Sequence, residues 1–458
     1  MSTEKTIKPE ALGGFRDFLP QEMEQREWLI NRVIEVYRSF GFVPLKTPAL
    51  ERASVLGVDK PNFGMQVYRF NFGELDVSLR FDLTVPLSRV VAAYSDQLPR
   101  PFKRYQLGDV WRGEKAQAGR YREFAQLDAD IVGSASMVAD AEIISIIIKV
   151  MEALDVGRFC VRFNNRKILN ALPEYAGFDP TKIKLVLRAL DRLEKVGIEG
   201  VVADLARQPD NEYDETAPNL NPDQIAKIVR FIDLGKAKID APKIMLAELR
   251  ELFASSPIGQ EGIAELEEIC QYLYAYGLDS MNWVIDLSVA RGLDYYTGPV
   301  FETTLLDLPD IGSVMSGGRF DDLVMRFTGN KIPATGASVG VDRLFTALEE
   351  LGRLPQIKTK TLALIVNWRD SFVAERLKLA SDLRADGFNV DFFPDGDVPL
   401  KEQIAFALKR GIRYVILLGE KEVAGNVVAL KDLEFRSQDN LNRGALRDFL
   451  QFATREAT

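Results

Sequence analysis

Chemistry in this chain of 458 residues has to be done without histidine, of which there is none. The usual neutral-pH general base, metal ligand and proton switch is therefore missing. Catalysis has to rest on Arg, Asp, Glu, Gln, Tyr, backbone amides and bound ions, which favours electrostatic positioning over a hydrolytic triad. Read with period two, Phe124, Gln126, Asp128 and Asp130 share one face of a strand, with Ala125, Leu127, Ala129 and Ile131 on the other. Short acceptors on a stiff strand suit a small ligand, because few rotamers need freezing; a polar edge hairpin alternates in the same way. Upstream, Trp111-Arg112-Gly113-Glu114 ends another strand, and the charged connection Lys115 to Arg122 makes the two an antiparallel hairpin. An arginine facing carboxylates and amides matches an anionic ligand beside an amine-bearing one. Asp82 and Thr84 repeat the theme, because strict alternation over Ser78 to Thr84 predicts a strand with Leu79, Phe81 and Leu83 inward. In Arg291-Gly292-Leu293-Asp294-Tyr295-Tyr296-Thr297-Gly298, two glycines and paired tyrosines at a strand edge suit close backbone approach to a ligand, with hydroxyl donors. Gly317-Gly318-Arg319 and Gly336 to Arg343 read as two more glycine turns, the second running into a helix with Arg343 facing a nucleotide; as plain loops such turns are common.

These residues need elements to carry them. Pro20 opens a long helix with Trp28, Leu29, Val33, Ile34 and Tyr37 at helical spacing, ended by Gly41 and followed by an extended run to Pro48. Val138 to Leu154 is helical and apolar; Arg166 to Ala254 is helical and charged, the pattern of an inserted module. After the polar linker Pro355 to Lys360, strands and helices alternate to the end, which is a separate small α/β domain. Cys160 and Cys270 are too few for a disulfide framework or metal cluster. A net charge of −9 argues against wholesale adhesion to nucleic acid or membrane. The polar start and the lack of a membrane-spanning stretch lead to the expectation of a cytoplasmic protein.

Taken together, LRFDLTVPLSR, RYREFAQLDADIVG, RGLDYYTGPVFE, SGGRFDDLV and GASVGVDRLF resemble the histidyl-tRNA synthetases, class II aminoacyl-tRNA synthetases, in order and spacing over essentially the whole chain. The resemblance implies a mixed α/β (α+β) fold. Its parts are an antiparallel-sheet catalytic core at 1–165 and 255–354, a helical insertion at 166–254 and a C-terminal α/β anticodon-binding domain at 361–458. It implies that the first helix and the strand ending in Pro48 are motif 1, a homodimer interface. Arg112 matches the motif 2 arginine on the ATP α-phosphate and substrate carboxylate, and Glu114 its acidic neighbour near adenine. Arg343 matches the motif 3 arginine on the γ-phosphate. Asp82, Thr84 and Gln126 match residues that bind the histidine amino end; Asp130, Tyr296 and Tyr295 match the imidazole pocket. Arg291 is similar to a family arginine that stabilises charge on the α-phosphate.

The implied reaction joins histidine to tRNA(His) through an adenylate, with ATP as substrate, Mg²⁺ accompanying the nucleotide and no tightly bound protein metal site. Neither step then calls for an enzyme base, since the family is thought to use a phosphate oxygen in the second. Ala125 stands where relatives often carry a larger residue, and LDAD and DLT point to a subgroup. Lys401, Lys409, Arg410 and Arg413 cluster around one C-terminal helix, either an RNA face or a solvated one. The alternative reading is a non-catalytic paralogue, a regulatory subunit of ATP phosphoribosyltransferase or a tRNA sensor. Such relatives usually lose the catalytic arginines, all present here.

Overall fold

The computed structural model describes residues 7–58, 67–114, 119–209, 216–278, 281–290, 295–357 and 359–456. The chain divides into two units, Met1–Arg16 with Leu29–Leu354, and Asp17–Trp28 with Pro355–Thr458. In the first unit the described strands are β1 (Val43–Pro44), β2 (Leu50–Arg52), β3 (Arg69–Phe72), β4 (Leu75–Leu79), β5 (Phe102–Trp111), β6 (Glu123–Val132), β7 (Phe159–Asn165), β8 (Trp283–Ile285), β9 (Pro299–Leu305), β10 (Met315–Arg319) and β11 (Ala334–Gly340). Eight of them form one sheet in the order β1-β5-β6-β11-β10-β9-β7-β8, antiparallel except for the end pairs β1–β5 and β7–β8. Strands β2, β4 and β3 make a small antiparallel sheet. Helix Met137–Ala153 packs on the large sheet, and its near-continuous apolar surface follows from burial nearly all round. Ser136 caps it, accepting from the Val138 N–H at 3.2 Å.

Between the parallel neighbours β7 and β8 the chain runs through helices, from Arg166–Asn170 to Pro257–Ala275. Helix Pro222–Ala237 opens with a reciprocal capping box of Asn221 and Gln224. A βαβ crossover needs one helix; here the connection has grown a helical module of its own.

The second unit holds β12 (Ala363–Ile365), β13 (Val390–Phe392), β14 (Tyr414–Leu417), β15 (Val427–Asp432) and β16 (Ser437–Asn442), ordered β13-β12-β14-β15-β16. The first three are parallel and the rest antiparallel, with an apolar layer on either side of the sheet. Together the units give the mixed α/β (α+β) fold expected.

Two readings change. Ser78 to Thr84 is not one strand: β4 ends at Leu79, and Thr84 already begins the helix Thr84–Ala93. Asp82 turns the chain there, its Oδ1 accepting the Val85 N–H at 3.1 Å, and both faces of the segment are buried. The two glycine turns are strands, β10 and β11, paired through Gly317↔Ala337 and Gly318↔Gly336. Their glycines answer to crowding: a Cβ on Gly317 would stand 2.0 Å from the Gly336 carbonyl oxygen.

Candidate active site

Register makes the floor of the site. Antiparallel pairing sets Arg104, Gln106 and Gly108 of β5 opposite Asp130, Asp128 and Gln126 of β6. On the other side of β6 these three face Gly336, Ser338 and Gly340 of β11. Because alternate residues share a face, one surface of three adjacent strands carries three transverse rows of polar or minimal side chains. A cavity of about 290 Å³ opens over these rows, walled by Asp82, Thr84, Gln126, Asp130, Tyr295 and Tyr296. A second, of about 240 Å³, shares Arg112, Arg120 and Arg343 with the first and adds Glu114, Gly119 and Phe124.

The first cavity is rich in buried carboxyls. Asp130 and Arg104 form a 2.7 Å ion pair with both side chains essentially out of water. Burial nevertheless raises the Asp130 carboxyl to about 7, against the pull of Arg104. Burial likewise raises Asp82 to about 6, opposed by the Val85 N–H and by Arg112. Its Oδ2 accepts from the Tyr295 hydroxyl at 3.2 Å. The Tyr295 ring stands edge-on to Tyr296 (5.1 Å) and Phe320 (6.0 Å), which fixes the pair at the cavity wall. Burial raises both tyrosine hydroxyls, so they remain protonated donors. Gln126 Nε2 donates to Ser338 Oγ at 2.7 Å.

The second cavity is cationic. Arg112 Nε donates to the Phe81 carbonyl at 3.0 Å, and its guanidinium lies over the Phe124 ring at 5.1 Å. Such anchoring lets a guanidinium meet an anion with little further loss of freedom. Arg343 follows directly on β11 in helix Val341–Glu350, with Nη1 donating to the Ser313 carbonyl at 2.6 Å. Its neighbour Asp342 accepts the Ala125 N–H at 2.8 Å, tying the helix start to β6. The segment beside Glu114 is strapped from the N-terminal side. The Arg122 N–H donates to the Gly14 carbonyl at 2.8 Å, and Arg16 Nη1 donates to the Tyr121 hydroxyl at 2.9 Å.

Of the residues singled out from sequence, Asp82, Thr84, Arg112, Gln126, Asp130, Tyr295, Tyr296 and Arg343 come together at the first cavity, and Glu114 with Arg112 and Arg343 at the second. Arg291 lies outside the described residues. Arg104, Arg120 and Ser338 were not anticipated. Arg104 stands opposite Asp130, a relation that only the hairpin register reveals. In the second unit, Lys401, Lys409 and Arg410 are exposed, whereas Arg413 is tied to Asp432 (2.9 Å) and Glu434 (3.0 Å).

Among the described residues no three His, Cys, Asp or Glu side chains gather as a metal cage. No described helix is long and apolar enough to cross a membrane.

Comparison with known proteins finds relatives along nearly the whole chain. A family model described as histidyl-tRNA synthetase matches residues 14–344, and one described as anticodon binding domain matches 361–452. The histidine–tRNA ligase of Helicobacter acinonychis is 39% identical over 438 residues, 95% of this chain and 96% of that one. That of Wolinella succinogenes is 40% identical over 442 residues, 96% and 97% of the two chains. The crystal structure of histidyl-tRNA synthetase from Nostoc sp. aligns with a TM-score of 0.84 at 33% identity, over 98% of this chain and 100% of that chain.

Proposed function

The chain belongs to the histidyl-tRNA synthetase family, and we propose from that premise how its two adjoining cavities divide the work of a histidine–tRNA ligase. The enzyme activates L-histidine with ATP to histidyl-adenylate and diphosphate, then transfers histidine to the 3′ end of tRNA(His). The observation that carries the assignment of sites is the meeting of an acceptor-lined cavity with a guanidinium-lined one at Arg112.

Histidine occupies the first cavity. Asp82, Thr84 and Gln126 take its amino end; Asp130 accepts from one ring N–H while Tyr296, with Tyr295 beside it, meets the other nitrogen. Support comes from the burial of these groups: a competing side chain that fails to pair with Asp130 and the tyrosines leaves them desolvated and unmatched. ATP lies in the second cavity, adenine toward Glu114 and phosphates toward Arg112 and Arg343. Attack of the histidine carboxylate on the α-phosphorus brings two anions together. Arg112 neutralises both as diphosphate departs toward Arg343, and no proton needs to move. Arg291 adds charge at the α-phosphate; that role rests on the motif RGLDYYTG. A Mg²⁺ would arrive on the triphosphate and be held mainly by its phosphates, supplying further charge neutralisation. Ser316, on the walls of both cavities, and Glu302, on the wall of the first, are oxygen donors that could face it.

The C-terminal unit binds tRNA, as its match to an anticodon-binding domain implies. We assign homodimerisation to the motif 1 region. Exposed apolar side chains cluster on the strands beside it, Val43 and Leu50 with Phe70, Phe72 and Leu75, and Phe72 is 73% exposed. Sedimentation equilibrium tests this, and a monomer at micromolar concentration overturns it. Amino-acid-dependent exchange of pyrophosphate into ATP, run with all twenty amino acids, tests the site. Exchange with histidine alone, lost in Arg291→Ala, is expected; exchange with another amino acid, or with none, overturns the reading.

A further inference from the structure

We propose that Asp128 is a substrate-binding residue, the carboxylate that receives the primary ammonium group of the bound amino acid. The proposal rests on the reading of the first cavity as the histidine site. Asp128 sits in the middle of the polar face of β6, between Gln126 and Asp130. It is 2% exposed, and it forms part of the wall of that cavity. A carboxylate taken out of water has to find a cation or enough donors, or give up its charge. Among the described residues, the three guanidiniums whose charge Asp128 feels each make their bonds to other groups. Arg104 gives its ion pair to Asp130. Arg80 donates through Nε to the Asp109 carbonyl at 2.8 Å and through Nη1 to the Thr47 carbonyl at 2.8 Å. Arg112 donates through Nε to the Phe81 carbonyl. These three guanidiniums act on Asp128 through space only.

The neighbours across the strands do little more. Gln106, opposite on β5, turns its Nε2 to Thr47 Oγ1 at 2.9 Å. Ser338, opposite on β11, accepts from Gln126 and donates its own hydroxyl hydrogen bond to Asp128. One relay, Gln126 to Ser338 to Asp128, therefore orients the carboxylate without neutralising it. Among the described residues Asp128 Oδ1 has no hydrogen-bond partner. Asp82 is close enough for the two carboxylates to repel each other, and its own bonded donors, the Val85 N–H and the Tyr295 hydroxyl, are neutral. Among the described residues these two carboxylates have no bonded cation, and an ammonium group brings one positive charge and three N–H donors to them.

Asp128→Asn keeps the shape and removes the charge. Two competitive inhibitors of histidine-dependent pyrophosphate exchange separate the roles: histamine carries ring and amine, imidazolepropionate carries ring and carboxylate. In the variant the KM for histidine and the Ki for histamine should both rise on the order of 10- to 100-fold. The Ki for imidazolepropionate and the KM for ATP should stay within threefold. Equal loss of both inhibitors marks a merely structural residue and overturns the proposal. So does loss of imidazolepropionate alone, or no change in either. Asp128→Ser, read by the same ratio of inhibition constants, serves if the asparagine variant does not fold. Lack of histidine-dependent exchange in the unsubstituted protein is a separate result, which overturns the reading of the site and this proposal with it.

Discussion

Replacing Gly336 with alanine separates the histidine cavity from the nucleotide cavity with one methyl group. A Cβ there would stand 2.1 Å from Asp130 Oδ1 and 2.7 Å from the Ala129 carbonyl oxygen. The carbonyl belongs to the β6–β11 ladder and cannot leave, so the Asp130 carboxylate has to yield by about 1 Å or more for ordinary contact. Its freedom is limited by the 2.7 Å pair with wholly buried Arg104. An off-rotamer side chain costs about 0.5–1.5 kcal/mol, overpacking a core about 1–3 kcal/mol, and breaking a buried ion pair about 3–5 kcal/mol. The strand relaxes by the cheapest mixture of these, and the imidazole acceptor moves with it. The expected loss is about 3 kcal/mol of histidine binding, roughly a hundredfold in KM. The KM for ATP should hold within twofold, because Gly336 is not part of the second cavity's wall. Pyrophosphate exchange at varied histidine and ATP reads both constants. With Asp130→Ala already present, the Gly336→Ala change should add little further loss, since the two share one contact. A folded Gly336→Ala protein with wild-type histidine KM, or with histidine and ATP constants raised equally, refutes the reasoning.

Arg343→Ala should cut the activation rate by about 10²–10³-fold while leaving histidine affinity unchanged, measured by stopped-flow adenylate formation against equilibrium histidine binding. Because burial raises Asp82 to about 6, kcat/KM for histidine should fall as pH drops through that value, and Asp82→Asn should flatten this limb. Stability runs the other way. Asp82 and Asp130 hold more protons folded than unfolded between the ordinary carboxylate range and their raised values of about 6 and about 7. These two groups therefore favour folding increasingly as pH falls through that window, and urea titrations of Asp82→Asn against the unsubstituted protein should converge toward acid. Asp140→Ala leaves the buried guanidinium of Arg319 with Asp321, at 3.2 Å, as its remaining carboxylate, and denaturant unfolding should show a loss at the low end of the about 3–5 kcal/mol expected for a broken buried pair.

What was legible in the sequence followed from periodicity. The polar face of β6 was readable because side chains alternate regardless of what they pack against, and the apolar helix Met137–Ala153 because its coverage leaves no polar stripe. Asp82 misled because an acceptor within a turn mimics one beat of a strand pattern until its partner, the Val85 N–H, is known. The glycines of β10 and β11 misled for a related reason. Glycine marks either an unusual backbone or a crowded one, and only the pairing of Gly317 and Gly318 with β11 distinguishes them. Strand β16 left no trace in its composition, Ser-Gln-Asp-Asn-Leu-Asn, since an exposed edge needs no apolar face. The Arg104–Asp130 pair was hidden because hairpin register depends on a loop whose geometry the residue types do not determine. The family motifs supplied residue roles that periodicity alone could not.

The second unit takes in Asp17–Trp28 as well as Pro355–Thr458, and Lys360 reaches back to Glu24 (3.3 Å) and Glu27 (2.8 Å). On the ribosome these two pieces are made about 330 residues apart, which at ordinary elongation rates is a wait on the order of tens of seconds. The early segment must remain uncommitted, or provisionally partnered, while everything between is synthesised. The unit closes only once Pro355–Thr458 has been made. A nascent chain halted before residue 355 should therefore leave the stretch around Glu24 and Glu27 open to protease, and release of full-length protein should protect it.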